Sequence, residues 1–388
     1  MVPVPRLDVL IYAHDGRGIG HASRSIGVGL ALRRLYPELK VLFVSGCNLS
    51  QELIGAAPLD WLKLPSYETN VVQGRSVGIC GKSMFSDEQL GQLRAKELAN
   101  MVELYNPRLV LVDHTPQGKH KELIPALSTG NDTRWILGVR GVVGAVKQAR
   151  SALAAQLFKD HYHAVLWYGD SSVLGASHCE QLLEQYNTVP VECGYVLRLS
   201  EFAFWNSRLM EFDEHLAGTI SVPWLGEKTI DFLEILSAVL KKIPGYLGPW
   251  RLFVDTESSG DRGRQIRQLF EKIPGCRIES PGSKYFPALL HSKTAIIYGG
   301  YNSLMDVIHV GIPALVILRE MEDEEQQLHL QKLQEVTGES LLTFSEARVS
   351  AEELEESLLK HLQRDRLAAV TLKKNGAACA AEFLQSLL

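Results

Sequence analysis

The chain is poor in cysteine. Only six occur in 388 residues, Cys47, Cys80, Cys179, Cys193, Cys276 and Cys379, and no two form a Cys-x-x-Cys pair. Zinc-ribbon spacing is therefore absent, and a chain of this size needs no disulfides to build a core, so free thiols are expected. No stretch approaches the ~18–20 consecutive apolar residues that a spanning helix requires. The opening residues lack the basic-then-apolar pattern of a secretory leader, and a soluble cytoplasmic protein is expected. Positive charge is not in excess: the net charge is −5, with the acidic surplus in the second half, which argues against a nucleic-acid partner. Low-complexity tracts and repeats of ~20–50 residues are missing as well, which excludes a solenoid.

What is present is an alternation of short apolar runs with amphipathic helical patterns, the mark of α/β layers on a parallel sheet. The strand-like runs begin at Leu7–Tyr12, Lys40–Ser45 and Trp61–Leu64. They continue through Leu109–Asp113, Trp135–Val139, Ala164–Tyr168 and Val189–Cys193. A break follows, and a second series runs through Gly218–Val222, Arg251–Val254, Arg277–Glu279, Thr294–Tyr298 and Ala314–Leu318. The pattern predicts a domain over 1–200, a second over 201–365, and a C-terminal helix over 366–388 that packs back towards the first. Ser66–Ser86, rich in glycine and polar residues, reads as a loop, and the tail from Ala351 to Leu388 reads as helical throughout.

Four places carry chemistry. In the first, a strand runs into Ala13-His14-Asp15-Gly16-Arg17-Gly18-Ile19-Gly20-His21 and then into a helix. Glycines at such a junction bring backbone N–H groups and a helix dipole up to a ligand. The spacing is neither a dinucleotide fingerprint nor a P-loop, since no Gly-Lys-Ser/Thr follows. His21 sits where the helix opens, and Asp15 beside it is a carboxylate able to orient an imidazole. The second place is Tyr298-Gly299-Gly300-Tyr301-Asn302-Ser303-Leu304-Met305-Asp306. There Asn302 or Ser303 is expected to cap a helix whose free N–H groups suit a phosphate, with Asp306 one turn in and positioned for ribose hydroxyls. The third, Arg319 to Gln327, opens a helix with several carboxylates followed by Gln326 and Gln327, amides of the kind that sugar hydroxyls need. The fourth comprises two strand ends, Asp113-His114 and Val139-Arg140, where polar residues of a parallel sheet usually line a cleft. Each has an ordinary structural explanation as well: a tight turn, a helix cap, charge compensation, or a buried pair.

In order along the chain, these motifs resemble the GT-B glycosyltransferases, in particular the branch containing the MurG-type N-acetylglucosaminyl transferase and related bacterial enzymes. The resemblance runs through His14-Asp15, Gly18-Ile19-Gly20-His21, Arg24, Asp113, Arg140, Tyr168-Gly169-Asp170 and Gly194-Tyr195-Val196. Its most specific element joins Gly299-Gly300-Tyr301-Asn302-Ser303 to Gly311-Ile312-Pro313-Ala314-Leu315. It implies two Rossmann-like domains facing a central cleft. An acceptor, either a small molecule or lipid-linked with peripheral membrane contact, would bind the first domain, and a UDP- or dTDP-sugar the second. The implied reaction is an inverting, metal-independent transfer of a hexosyl group to a hydroxyl or amine, with no cofactor and no metal ligand. A GT-B epimerase or hydrolase of the nucleotide sugar, or a non-catalytic partner of the fold, is the alternative.

Carried onto this sequence, the resemblance makes His21 the base, with Asp15 or Asp113 in reserve. Gly299, Gly300, Asn302, Ser303, Asp306, Gln326, Gln327 and Lys228 would serve the donor. Gly18, Gly20, Arg24, His114 and Arg140 would lie on the acceptor side. The chain departs from the family pattern in four places, one of them Asp306, where the ribose position is more often Glu and the side chain is a methylene shorter. The turn Ile220–Thr229 has one glycine where the family has a run, and Lys228 could supply a point charge instead. Gly141 follows Arg140 where relatives tend to carry Asp, and Asp255 and Glu257 stand at a strand end that is usually neutral.

Overall fold

The computed structural model describes residues 6–15, 19–72, 75–129, 132–144, 149–212, 214–320, 325–364, 366 and 375–388, with only the backbone for 70–72, 75–77 and 209. The chain divides into two compact units, Met1–Trp205 with Leu372–Leu388, and Asn206–Thr371.

The first unit carries β1 (Val9–Ala13), β2 (Val41–Ser45), β3 (Asp60–Lys63), β4 (Glu68–Val72), β5 (Arg75–Ile79), β6 (Leu109–Asp113), β7 (Arg134–Arg140), β8 (Tyr162–Tyr168) and β9 (Val191–Glu192). Seven of them form one sheet in the order β3-β2-β1-β6-β7-β8-β9, and every pairing in it is parallel. All residues of β1, β2 and β6 are buried, as expected of strands covered by helices on both faces. The segment expected to be a loop, Ser66–Ser86, contains β4 and β5 as an antiparallel hairpin. Its strands are short and lack an apolar alternation long enough to register in sequence.

The second unit carries β10 (Leu216–Val222), β11 (Trp250–Val254), β12 (Cys276–Glu279), β13 (Ser292–Tyr298), β14 (Ala314–Leu318) and β15 (Leu341–Ser345). They form a parallel sheet in the order β12-β11-β10-β13-β14-β15. Both units follow the doubly wound order, in which the chain direction reverses beside the first strand. The switch points therefore fall between β1 and β6 and between β10 and β13. Ligands of such folds bind at the carboxyl ends of the strands there.

The tail expected to be one helical stretch is two described helices, Ala351–Leu362 in the second unit and Gly376–Ser386 in the first. The first begins with a full capping box from Ser350 and Glu353. The second packs on the helix Gly20–Leu35 and is pinned at its start. Asn375 caps it and donates to Glu201, whose carboxylate accepts a bidentate pair from Arg34 at 2.8 Å. Gly376 lies so close to Gly194 that a Cβ would stand 2.2 Å from its carbonyl oxygen. Gly376→Ala should therefore cost about 1–3 kcal/mol through overpacking. Urea denaturation would show this as a lowered midpoint, and an unchanged midpoint would contradict the close approach.

Candidate functional site

In the first unit, β1, β6 and the helix Gly20–Leu35 deliver three imidazoles and a carboxylate to the switch point. His14 follows the last residue of β1, Asp113 ends β6, and His114 comes next. His21 enters from the first turn of the helix Gly20–Leu35. The ring centroids of His14 and His21 are 4.1 Å apart, those of His21 and His114 5.3 Å, and those of His14 and His114 5.9 Å. His114 holds φ = +80°, in the left-handed region that a side chain with a Cβ adopts only under constraint, and such strain gathers at functional sites. Its N–H donates to the Gly138 carbonyl of β7 at 2.8 Å, which fixes the turn.

Asp113 organises the group. It is 3% exposed, and its two oxygens are divided between two partners. Arg24 donates from Nη2 at 2.6 Å and from Nε at 3.1 Å to Oδ1, while His21 Nδ1–H donates to Oδ2 at 2.5 Å. Burial alone would raise the carboxyl, but Arg24 and then His21 outweigh it and hold Asp113 ionised, far below the usual carboxylate range. Burial lowers His21 despite the opposing pull of Asp113. His14 and His114 are lowered well below 6.5, first by burial and then by neighbouring positive groups. His21 is thus neutral near neutral pH, with the proton on Nδ1 and the lone pair on Nε2. That is the state a general base requires.

The other residues expected on this side are placed as follows. Asp15 does not orient His21. Its carboxylate pairs with Arg94 at 2.5 Å and accepts from the Tyr67 N–H at 2.6 Å, so it is held in a separate buried network. Arg24 spends its guanidinium on Asp113 rather than on a ligand. Gly20 opens the helix, and Gly18 lies outside the described residues. Arg140 ends β7, and with His114 it lines a cavity of about 570 Å³ that also meets Arg150, Gln181 and Tyr186.

In the second unit, Tyr298 ends β13 and is followed by Gly299 and Gly300. Gly300, not Asn302 or Ser303, takes the N-cap position of the helix Tyr301–Val310, and no side chain caps it. A Cβ on Gly299 would stand 2.5 Å from Leu318 Cδ2 and 3.5 Å from Gln326 Oε1, so Gln326 lies beside this turn. A Cβ on Gly300 would meet nothing within 4 Å. Ser303 and Gln326 are half-buried, while Gln327 is exposed. Asp306, expected to face a ribose, is 1% exposed. Lys228 is exposed and pairs with Asp231 at 3.3 Å. The Asp255 carboxylate accepts from the Glu257 and Ser258 N–H groups, so it closes its own turn.

A group with no role expected from the sequence dominates this edge. Arg319, just past β14, lies between two aromatic faces, 3.6 Å from the Trp224 ring centroid and 3.9 Å from that of Tyr298. Its Nε donates to Glu346, and its Nη2 donates to the Trp224 carbonyl at 2.6 Å. Thr229 and Tyr298 hydroxyls donate to the same Glu346 at 2.6 and 2.7 Å. The glycine-poor turn after β10 is thereby fixed by a buried ion pair between residues far from it in sequence. Only the positive charge near an acidic segment could have pointed to Arg319.

The three depressed imidazoles set a pH dependence. The unfolded chain binds more protons than the folded one, so stability falls as pH drops below the usual histidine value of 6.5. Asp113 acts in the same direction lower down, its contribution being present above about pH 4 and lost beneath it. Calorimetry should show Tm falling between about pH 7 and about pH 5, with a shallower slope in His14→Gln. A flat Tm over that interval would contradict the neutral imidazoles.

No protein-family profile matches the sequence, and no curated protein sequence matches it. Solved structures do. A putative UDP-N-acetylglucosamine 2-epimerase from Listeria monocytogenes aligns over 96% of this chain and 94% of its own, at 12% identity and a TM-score of 0.62. The UDP-GlcNAc 2-epimerase of Methanocaldococcus jannaschii covers 98% and 100%, at 10% identity and the same TM-score of 0.62. The spinosyn rhamnosyltransferase SpnG, solved with thymidine diphosphate, covers 98% and 96%, at 17% identity and a TM-score of 0.53. Likeness at such identities speaks for the fold. Two doubly wound parallel units in this order, matched along the whole chain, give this protein the GT-B fold.

Proposed function

We propose that the protein is an inverting glycosyltransferase that moves a hexosyl group from a nucleoside-diphosphate sugar, UDP- or dTDP-linked, to an acceptor hydroxyl or amine in the cytoplasm. The observation that carries this reading is the His21–Asp113–Arg24 arrangement: a neutral imidazole backed by an ionised carboxylate at the switch point of the first unit. The acceptor, a small molecule or a lipid-linked sugar at a membrane surface, binds beside His114 and Arg140. The donor binds the second unit, its diphosphate at the uncapped helix start after Gly300 and its sugar near Gln326 and Gln327.

In the reaction, His21 Nε2 takes the proton of the acceptor hydroxyl as its oxygen attacks the anomeric carbon from the face opposite the leaving group. The bond from that carbon to the diphosphate oxygen breaks, and the nucleoside diphosphate leaves with the electron pair, inverting the centre. Asp113 stabilises the imidazolium that forms, while Arg24 keeps the carboxylate charged. The helix dipole and N–H groups at Gly300 stabilise the departing diphosphate, and the step as written needs no metal ion.

His21→Ala should lower turnover by roughly 10²–10⁴-fold with little loss of donor affinity. In the unaltered enzyme, kcat/KM should fall on the acid side with a midpoint below 6.5, because burial depresses His21. An acid limb that persists in His21→Ala would assign the base elsewhere. The neighbours of highest TM-score among those described are epimerases, so a second reading is a nucleotide-sugar epimerase or hydrolase. Incubation with UDP- or dTDP-sugars and no acceptor separates the two. Rapid conversion to an epimer or free sugar would replace the transferase reading. A thermal shift with UDP or dTDP is expected under both readings, about 2.7 kcal/mol at 100-fold the dissociation constant. Its absence would leave a non-catalytic partner of the fold.

A further inference from the structure

We propose that the histidine cluster of the first unit is a binding site for a borderline divalent transition-metal ion such as Zn²⁺ or Co²⁺, held by His14, His21 and Asp113, with the His114 ring centroid 5.3 Å from that of His21. One ring nitrogen from each of His14 and His21 and one Asp113 carboxylate oxygen all lie within 4.8 Å of one another. A four-coordinate ion bound at about 2.1 Å needs its ligand atoms roughly 3.4 Å apart, a rearrangement within the reach of side-chain torsions. Imidazoles bound to one such ion have ring centroids about 5 Å apart. The separations of 4.1, 5.3 and 5.9 Å among the three rings bracket that value.

A second, independent observation points to a ligand. His14 is 7% exposed, yet its Nδ1 has no hydrogen-bond partner, and neither has Nδ1 of His114. Buried ring nitrogens are normally satisfied, and leaving one unpaired costs about 1–3 kcal/mol. An ion that accepts the His14 lone pair removes its deficit. The donor set of two or three imidazoles and one carboxylate suits zinc, cobalt, nickel or copper, and disfavours magnesium and calcium, which prefer oxygen. Arg24 on Asp113 Oδ1 opposes the cation and sets the affinity below that of a closed structural zinc site.

This site shares His21 and Asp113 with the proposed transfer machinery, and it bears on that reaction in one way. If His21 is the base, the ion occupies its lone pair and competes with acceptor deprotonation. Zinc at micromolar levels would then act as a reversible inhibitor. The ion-binding claim itself does not depend on the transferase reading.

The test uses untagged full-length protein, stripped with chelator and dialysed against Zn²⁺, Co²⁺ or Mg²⁺ separately. Mass spectrometry of bound metal should give one Zn²⁺ or Co²⁺ per chain and no Mg²⁺, and Co²⁺ should add visible d–d bands without thiolate charge-transfer absorption. His14→Gln and His114→Gln, each first checked by circular dichroism and melting for an intact fold, should weaken Zn²⁺ binding by at least about 10-fold. Cys80→Ser should leave it unchanged, since Cys80 is an exposed thiol that could bind zinc by itself. No retained metal would overturn the proposal. So would retention that survives both histidine substitutions, or retention that Cys80→Ser abolishes. Chelator-reversible loss of transferase turnover would add the link to His21, whereas binding without inhibition would keep the metal site and remove His21 from the role of base.

Discussion

The charge on Asp113 is the constraint on which the first unit's site depends. A carboxylate at 3% exposure cannot stay ionised without compensation, and Arg24 supplies that compensation from about one turn past His21 on the neighbouring helix. The consequence reaches His21, whose Nδ1 proton is fixed by the same carboxylate, and so the tautomer is fixed as well. Removing Arg24 would leave a buried charge unpaired, and the imidazole would lose its orientation. The strained backbone at His114 and the packing of the Gly20–Leu35 helix both serve this placement.

The second unit uses the same physics for a different purpose. Arg319 and Glu346 form an ion pair at 3.1 Å, each less than a tenth exposed, with two hydroxyls completing the carboxylate's hydrogen bonds. Trp224 and Tyr298 clamp the guanidinium by cation–π contact. Together they hold the turn after β10, in which Gly226 is the single glycine. Its Gly226 N–H donates to Thr229 Oγ1, so that amide serves the turn itself. What remains open towards a ligand at this edge is the helix start after Gly300, where nothing lies within 4 Å of a built Cβ.

Much of the architecture is legible in the sequence. Fully apolar runs such as Val9–Ala13 and Ala314–Leu318 signal buried parallel strands, because a strand covered on both faces has no polar side to alternate with. The hairpin β4–β5 and the edge strand β15 escaped notice, since neither has such a run. Asn302 and Ser303 have the higher capping propensity, yet the cap position falls two residues before Asn302, at Gly300.

The sequence by itself determined that His21 opens a helix after a glycine turn, that Asp113 and His114 end a buried strand, and that a second strand–glycine–helix junction follows near residue 299. Each of these is a local consequence of apolar period and turn chemistry, which short-range interactions dictate. Which carboxylate meets His21 was decided only by tertiary structure. Asp15 is six residues away and Asp113 ninety-two, but the β1–β6 pairing brings the distant one to 2.5 Å and commits the near one to Arg94. Long-range ion pairs such as Arg24–Asp113 and Arg319–Glu346 leave no periodic trace in a chain, because what selects the partner is the register of the sheet and the dielectric of the site, and both exist only after folding.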